Sequence, residues 1–586
     1  MLSLLDNLKK RRIWRVLVAY PSVTFIWLQV VEFFIDNYGL DERLLTVSII
    51  VAIVLFPAAV IINWRHGEDG AQAPSKTDVG IYSLLVAFAV GSVYWYWSTS
   101  DAPVARTAMS YEPARSIAVM PFENLSDDPG VQFLCDGIAE SLINWLATIP
   151  DVKVSSKSAA FRLRDAGDDT ATIAEQLGVD GVIRGRLEKV DDQIVVSTSF
   201  VDARDDNQLW GERLVRPAGE VLFLERSIVA SIKDGLVLKV SDASVQSSAS
   251  GGTDDPQAYL HYLRGHYLIQ STNTEDIYQG IDELRAAIQR DPQFALAQAD
   301  IADALSQMIS YDIGRDEAML LEAQRAAYSA VTLAPKLAEA QTALATMLQY
   351  VDLDWDKAQQ AYEAAIALAP QSPVPYHRFA DFLSLTLQTE RAMQMARKAL
   401  AIDALDSSAM HALGIAAMMH GDFETAAQIT TDWNRFHPNS RWSYVKNGLM
   451  LAFNDQCDES LVQLHKVEDL INSQPPTLMD SWMEWGYHLC GADEDLARSR
   501  ARIEDALRAN PTALEPGFAY HYAIEGNTKA FLALAERIVA ERNPLTLYLL
   551  VFSVPHLGLP VTDDLLNNPR YAAMIENAGL QQYRPN

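Results

Sequence analysis

The sequence has 586 residues, 49% of them hydrophobic, and its 47 Lys and Arg against 76 Asp and Glu give a formal net charge of -29. A chain of this length folds into several modules, and one this acidic repels phosphate backbones, which excludes nucleic acid as a partner. The three cysteines, Cys135, Cys457 and Cys490, contain no CxxC pair, which excludes a cysteine-based zinc framework.

Three apolar runs dominate the N-terminus, at about 13–35, 44–64 and 80–97. Their lengths are typical of membrane-spanning helices. The basic residues that precede or open the first run are Lys9, Lys10, Arg11, Arg12 and Arg15. By the positive-inside rule they predict a cytoplasmic N-terminus. We therefore expect residues 1–98 to be a three-helix anchor in a bacterial inner membrane, with the later domains in the periplasm. If the first run only lies along the interface, these domains face the cytoplasm instead.

Two polar linkers, 99–115 and 239–255, divide the rest of the chain. Between them, residues 116–238 alternate between strand and helix patterns in the order βαβαβββα. This order predicts an α/β domain with a mixed sheet and helices packed on it. A helix over 170–178 is expected to end at Gly178.

The stretch "SIAVMPFENLSDDP" begins this domain as a buried strand and ends in carboxylates. Asp128 followed by Pro129 is typical of a helix start, with the carboxylate as N-cap and proline in the first turn. The alternative is a divalent-ion site formed by Asp127, Asp128 and Asp136. No phosphate-binding loop or metal-ligand spacing accompanies them, so capping is the favoured interpretation.

From Pro256 onward the chain is a series of amphipathic helices with a 34-residue period. Alanines recur at this spacing, as do the residues that end each unit: Ala358, Ala392 and Ala426; Pro370, Ala404 and Pro438. Small residues at helix contacts with proline terminators are typical of tetratricopeptide repeats (TPRs). We predict an all-α TPR solenoid over 256–560 and a C-terminal cap over 561–586.

A TPR solenoid has a concave groove lined by the first helix of each unit. The groove positions predicted here are His377, Arg378, Asp381, Ser384, Ser408 and His411. The alternative is that these are ordinary solvated side chains. Trp482 and Trp485 lie on another first helix, either as packing residues or as an exposed aromatic patch.

Cys457 and Cys490 are 33 residues apart, which is nearly one repeat. Adjacent units could bring them within bonding range. They are expected either to form a disulfide or to be two buried thiols that behave as small hydrophobic residues.

The α/β segment also resembles a known family. The stretches "SIAVMPFENLSDDPGVQFLCDGIAESLINWLATIPDVKVSS", "IAEQLGVDGVIRGRLEK" and "VSTSFVDARDDNQLWGERL" are similar to the TolB-amino-terminal-like domain. That domain accompanies bacterial adenylate/guanylate cyclases and membrane-bound winged-helix regulators of the CadC type. The resemblance implies a non-catalytic domain linked to signalling. Only twelve residues precede the first apolar run, so neither a cyclase nor a winged-helix domain is expected there.

The sequence thus predicts a membrane-anchored scaffold or sensor that binds a protein or peptide through its TPR groove. The alternative is a non-catalytic regulatory subunit of a nucleotide cyclase or transcriptional signalling system. Neither interpretation includes catalytic or metal-binding residues or a cofactor, and neither makes the chain an enzyme.

Overall fold

The structure is a computed structural model. It describes residues 116–583, apart from 127, 148, 150–151, 165–168, 236–251, 272, 311–315, 439, 472–477 and 511–515. Near the N-terminus it describes 19–21, 23–25, 27–29, 31, 48–49, 52 and 56. The chain divides into two compact units, Met1–Glu112 and Pro113–Asn586.

The first unit corrects the prediction of a membrane anchor. Its described residues are helical, and the Tyr20 hydroxyl donates a hydrogen bond of 2.7 Å to the carbonyl of Ala52. Across the described residues, no helix combines the length and apolar character that crossing a bilayer requires. The fold prediction is therefore wrong in its transmembrane part. The predicted localisation is wrong for the same reason. It placed the chain in the inner membrane, with its domains in the periplasm or on the cytoplasmic face.

Most of the predicted spans at 13–35, 44–64 and 80–97 lie outside the described residues, as does the linker 99–115. Apolar composition was the basis of that prediction, and it does not by itself distinguish a membrane helix from a helix packed against other protein.

The second unit begins with the predicted mixed sheet. Its strands are β1 (Ser116–Val119), β2 (Glu123–Asn124), β3 (Lys153–Val154), β4 (Gly181–Val190), β5 (Gln193–Asp202) and β6 (Asn207–Pro217). Their order is β3-β1-β4-β5-β6, and β2 pairs with β4. β1 is parallel to β3 and β4, whereas β4, β5 and β6 form an antiparallel meander.

Four helices belong to this part: α1 (Gln132–Ala147), α2 (Lys157–Arg162), α3 (Thr170–Leu177) and α4 (Val221–Gly235). As predicted, α3 ends at Gly178, whose φ of 63° is a left-handed conformation that glycine adopts without strain. Asp128 caps the 3-10 turn that precedes α1, because its Oδ1 accepts a 2.8 Å hydrogen bond from the Gly130 N–H.

The helical region consists of antiparallel pairs. Its helices are α5 (Pro256–Ile269), α6 (Thr274–Arg290), α7 (Ala295–Ser310), α8 (Glu317–Leu333), α9 (Ala338–Met347), α10 (Trp355–Leu368), α11 (Pro373–Leu385), α12 (Thr389–Ile402), α13 (Ser407–His420), α14 (Phe423–Phe436), α15 (Arg441–Phe453), α16 (Cys457–Ile471), α17 (Leu478–Cys490), α18 (Asp493–Ala509), α19 (Pro516–Ile524) and α20 (Thr528–Ala540). A π-helical turn, Leu348–Asp352, follows α9.

Small residues explain why these helices pack as TPR-like pairs. Ala358, Ala392 and Ala426, which recur every 34 residues, are all fully buried on the second helix of their pair. At Gly414 of α13, an added Cβ would lie 2.9 Å from the Cγ2 of Thr430 on α14. Only glycine permits this approach between the two helices. The small residues that recur in the sequence therefore lie where the helices of a pair touch.

The C-terminal segment folds back onto the middle of the helical region. It contains a 3-10 helix (Pro544–Ser553), α21 (Thr562–Leu566) and α22 (Pro569–Asn577). The 3-10 helix packs against the first helices α7 and α11. The Arg542 guanidinium donates to the carbonyl of Asp352 at 2.7 Å, and Gln582 donates to Asp356 at 2.9 Å. The end of the chain therefore closes against its earlier repeats.

Candidate functional site

The predicted groove residues lie on two neighbouring first helices. His377, Arg378, Asp381 and Ser384 are on α11, and Ser408 and His411 are on α13. Ser384 does not contribute to a surface, because it is fully buried and its hydroxyl donates to the carbonyl of Ala380 on its own helix. Ser408 is exposed at the first turn of α13. The other four residues belong to one network of ionisable side chains.

His377 joins α11 to the start of α13. Its Nδ1 lies 2.9 Å from the Oδ2 of Asp406, and only 5% of the His377 surface is exposed. Asp406 is the N-cap of α13, accepting hydrogen bonds from the N–H groups of Ser408 and Ala409. Burial disfavours the Asp406 carboxylate, but the contact with His377 and these N–H groups outweigh it and lower the Asp406 pKa. His377 is therefore held in place by an ionised carboxylate.

Arg378 joins α11 to α7, two helix pairs earlier in the chain. Its Nη2 lies 3.1 Å from the Oδ2 of Asp303. The same carboxylate oxygen accepts from Gln307 at 2.6 Å. Within the described part of the chain, the Nε of Arg378 and the Oδ1 of Asp303 are buried without a hydrogen-bond partner. This ion pair consequently retains one free donor and one free acceptor.

Lys446 of α15 is the centre of an aromatic cage. Its Nζ lies 5.6, 5.4 and 5.3 Å from the ring centroids of Trp433, Trp442 and Trp482. The same Nζ is 2.8 Å from the Nδ1 of His411. These distances suit cation–π contacts with all three indoles.

Burial sets the protonation of the groups around this cage. It lowers the pKa of Lys446, although the charge of Asp381 works in the opposite direction. Burial likewise raises the pKa of Asp381, against the charges of His377, Arg378 and Lys446. Burial and the neighbouring Lys446 lower the pKa of His411, which is neutral as a result. The charged forms of Asp381 and Lys446 are therefore less favoured than those of exposed residues of the same type.

Together these side chains form one row along the first helices, which we call the inner row: Asp303, His377, Arg378, Asp381, His411 and Lys446. The members come from α7, α11, α13 and α15, all first helices of their pairs. Trp482 and Trp485 of α17 are buried, as the packing interpretation predicts, and Trp482 also covers Lys446.

Sequence reasoning missed Asp303 and Lys446. Lys446 could have been found, because it lies 35 residues after His411, which lies 34 residues after His377. The three side chains occupy equivalent positions of successive units. Asp303 gave no such signal, since its contact with Arg378 joins helix pairs that are two apart.

The α/β part contacts the solenoid beside the inner row. Ser156, the N-cap of α2, donates from its hydroxyl to the Oδ1 of Asp403 at 2.9 Å. Asp403 is only 4% exposed and lies in the loop that leads to Asp406. The guanidinium of Arg162, at the other end of α2, lies 5.1 Å from the ring centroid of Phe436. α2 therefore packs against the loop between α12 and α13 and against the end of α14.

A second network joins the α/β part to the first solenoid helix. Glu225 of α4 is fully buried and accepts hydrogen bonds from Ser141 of α1 and Tyr259 of α5. Burial raises the pKa of Glu225 to about 8, although both hydrogen bonds oppose the shift. The carboxyl is therefore largely protonated at neutral pH.

His266 of α5 lies at the same junction, where the α/β part meets the first solenoid helix. Its Nδ1 lies 2.6 Å from Asp300, and its Nε2 lies 3.6 Å from Glu140. Burial opposes the imidazolium, but the two carboxylates outweigh it and raise the pKa of His266 to about 10. Glu140 also accepts from Lys157 at 2.6 Å. The junction is thus held by charged pairs as well as by apolar packing.

The two cysteines at repeat spacing are paired in the structure. The sulfur atoms of Cys457 and Cys490 lie 2.16 Å apart, and their Cα atoms 5.4 Å apart. This disulfide links the start of α16 to the end of α17. Cys135 is buried and unpaired.

No protein-family model matches the chain. It is 26% identical over 214 residues to a protein described as putative adenylate cyclase 3 from Rhizobium meliloti (strain 1021). That likeness covers 36% of this chain and 36% of the relative, so the chain spans about a third of the relative's length.

Several solved TPR structures are similar to parts of the chain. The pilF protein of Pseudomonas aeruginosa is 16% identical, covering 37% of this chain and 95% of its own, with a TM-score of 0.29. A thermophilic TPR protein of Thermus thermophilus is 18% identical, covering 31% and 97%, with a TM-score of 0.27. A tetratricopeptide repeat protein from Parabacteroides merdae is 15% identical, covering 43% and 93%, with a TM-score of 0.30. Likenesses of this size carry no functional argument.

Proposed function

We propose that this chain is a non-catalytic interaction scaffold that binds a protein or peptide segment along its inner row. The observation that carries this proposal is the Arg378–Asp303 pair, which keeps a buried N–H donor and a buried carboxylate acceptor without partners among the described residues. A buried polar atom without a partner costs free energy, which a bound group can recover.

The chemistry of the partner follows from these two atoms. A group that both accepts from the Arg378 Nε and donates to the Asp303 Oδ1 is an amide or a hydroxyl, and every residue of a peptide backbone other than proline supplies an amide. Because both atoms are buried in the free chain, this group must displace the side chains that cover them. Among the three rings around Lys446, that of Trp442 is half-buried and offers apolar contact further along the same row. We therefore propose an extended peptide segment that presents an amide at Arg378 and an apolar side chain toward Trp442.

Photocrosslinking tests this function. A benzophenone amino acid placed at Ser408, which is exposed next to the inner row, should capture a partner in cells. The same probe at Glu390, which is exposed on the second helix α12, serves as the control. We expect a discrete crosslinked species from Ser408 alone. Equal capture at both positions, or none at Ser408, would contradict binding along the inner row.

A second candidate is a regulatory partner of a nucleotide cyclase or transcriptional signalling system. The observation that favours it is the 214-residue likeness to a putative adenylate cyclase. If this regulatory candidate is correct, mass spectrometry of the crosslinked species should identify a chain with a cyclase or DNA-binding domain.

We also propose that residues 116–238 form the TolB-like domain which the sequence resembles.

The absence of catalysis has its own test. The purified 586-residue chain incubated with ATP and Mg²⁺ or Mn²⁺ should form no cyclic AMP. Metal-dependent turnover by the pure chain would mean that the chain is itself an enzyme.

A further inference from the structure

Two carboxylates and an imidazole converge near the C-terminal end of the solenoid. Glu504 lies on α18, His521 lies on α19 and Glu525 directly follows α19. One donor atom from each of the three residues lies within 4.8 Å of the others. Because the donor set combines one nitrogen with two carboxylate oxygens, it differs from the simple acidic clusters of a protein surface.

His521 and Glu525 share one face of a helical turn. They are four residues apart, and the Glu525 N–H donates to the carbonyl of His521 at 3.0 Å, which continues the helix to Glu525. The Nε2 of His521 lies 3.5 Å from the Oε2 of Glu525. Two metal-ligating side chains at this spacing can bind the same ion, as in helical zinc sites.

The imidazole is oriented from behind by a fourth residue. The Nδ1 of His521 lies 3.0 Å from the Oε2 of Glu484, a fully buried carboxylate on α17. Arg500 of α18 donates to the other oxygen of Glu484 at 3.1 Å. With the proton on Nδ1, the lone pair is on Nε2, the nitrogen that lies 3.5 Å from Glu525. A histidine ligand whose other nitrogen donates to a carboxylate is the usual arrangement of a metal site.

The charges around the cluster suit a cation. Glu484 is balanced by Arg500, whereas Glu504 and Glu525 contribute two further negative charges. Arg508 competes for Glu504, with its Nη1 3.4 Å from the Oε2 of Glu504. Both side chains of that pair are exposed by close to half or more, so the contact is weak and readily exchanged.

We propose that Glu504, His521 and Glu525 bind a divalent transition-metal ion, with zinc as the best match, and that Glu484 is a positioning residue. Three protein ligands of this N/O type leave a fourth tetrahedral position for water or a partner's donor. Mg²⁺ is disfavoured because it prefers six oxygen ligands. This site is separate from the inner row and does not depend on peptide binding there.

Calorimetric titration of the EDTA-treated full chain with zinc tests this site. Wild type should bind one ion, and the Glu504→Gln, Glu525→Gln double variant should bind it at least 10-fold more weakly. The control is Glu494→Gln, an exposed carboxylate at the start of α18, which should bind zinc as wild type does. Mg²⁺ at the same concentration should give no saturable binding.

Thermal melts with and without zinc separate metal binding from folding. In EDTA the double variant should melt at the same temperature as wild type, because both substituted side chains are at least partly exposed. Zinc should raise the melting temperature of wild type and of Glu494→Gln only. Glu484→Gln should weaken zinc binding about 10- to 100-fold. Equal zinc affinity in wild type and the double variant would overturn the proposal.

Discussion

The Arg378 guanidinium lies 3.1 Å from the Asp303 carboxylate, although the two residues are 75 positions apart in the chain. The contact links first helices that belong to helix pairs two apart. The Arg378–Asp303 contact therefore helps to hold the solenoid together, and the same two residues belong to the proposed binding site.

This pair should be energetically coupled. We expect Arg378→Gln and Asp303→Asn each to destabilise the chain by about 1–3 kcal/mol, because each leaves a partly buried charge without its counterion. The double variant should lose less than the sum, by on the order of 1 kcal/mol. Urea unfolding of the four proteins measures the coupling. If the two losses are additive, the Arg378–Asp303 ion pair contributes nothing to the free energy of unfolding.

The caged lysine gives a second prediction. Lys446→Met should be neutral or stabilising, since it keeps the volume between the tryptophans and removes a buried ammonium group. Lys446→Ala should destabilise by about 2–4 kcal/mol, because it leaves a cavity. Thermal melts of both variants check this, and a larger loss in Lys446→Met than in Lys446→Ala would contradict the cage.

Glu225 makes stability depend on pH. Its pKa is about 8 in the folded chain, against about 4.3 in an unfolded one. Between these values the folded state retains a proton that the unfolded state has released, so stability falls as pH rises, by about 1.4 kcal/mol per unit. Glu225→Gln should therefore match wild type near pH 4.5 and exceed it at pH 9.

Urea unfolding at both pH values measures this difference. Glu175→Gln, an exposed carboxylate on α3, is the matched control and should follow wild type throughout. An equal pH dependence in wild type and Glu225→Gln would show that Glu225 is ionised when folded.

The disulfide predicts a thiol count and a stability change. Unfolded chain without reductant should expose one thiol, from Cys135, and three after reduction. The Cys457→Ala, Cys490→Ala variant should lose about 2–4 kcal/mol, as expected for a closed loop of 33 residues. Three thiols before reduction would contradict the pairing.

Local patterns in the sequence predicted the parts of the fold that depend on neighbouring residues. The alanines at Ala358, Ala392 and Ala426 marked helix crossings, and Gly178 marked the end of α3, because both effects act within one or two turns. The Arg378–Asp303 contact could not be read this way, since it joins helix pairs that are two apart in the chain. The prediction of membrane spans from the apolar N-terminal runs was wrong for a related reason. Composition alone does not determine what a helix packs against.

The central claim is that a partner binds along the inner row, and one titration tests it most directly. The partner crosslinked from Ser408 is titrated against wild type, Arg378→Lys and Arg397→Lys, the last an exposed arginine on α12. Arg378→Lys keeps the charge but removes the Nε–H that the peptide amide is proposed to use. We predict a 10-fold or greater loss of affinity for Arg378→Lys and none for Arg397→Lys. Equal affinities for all three proteins would contradict the account.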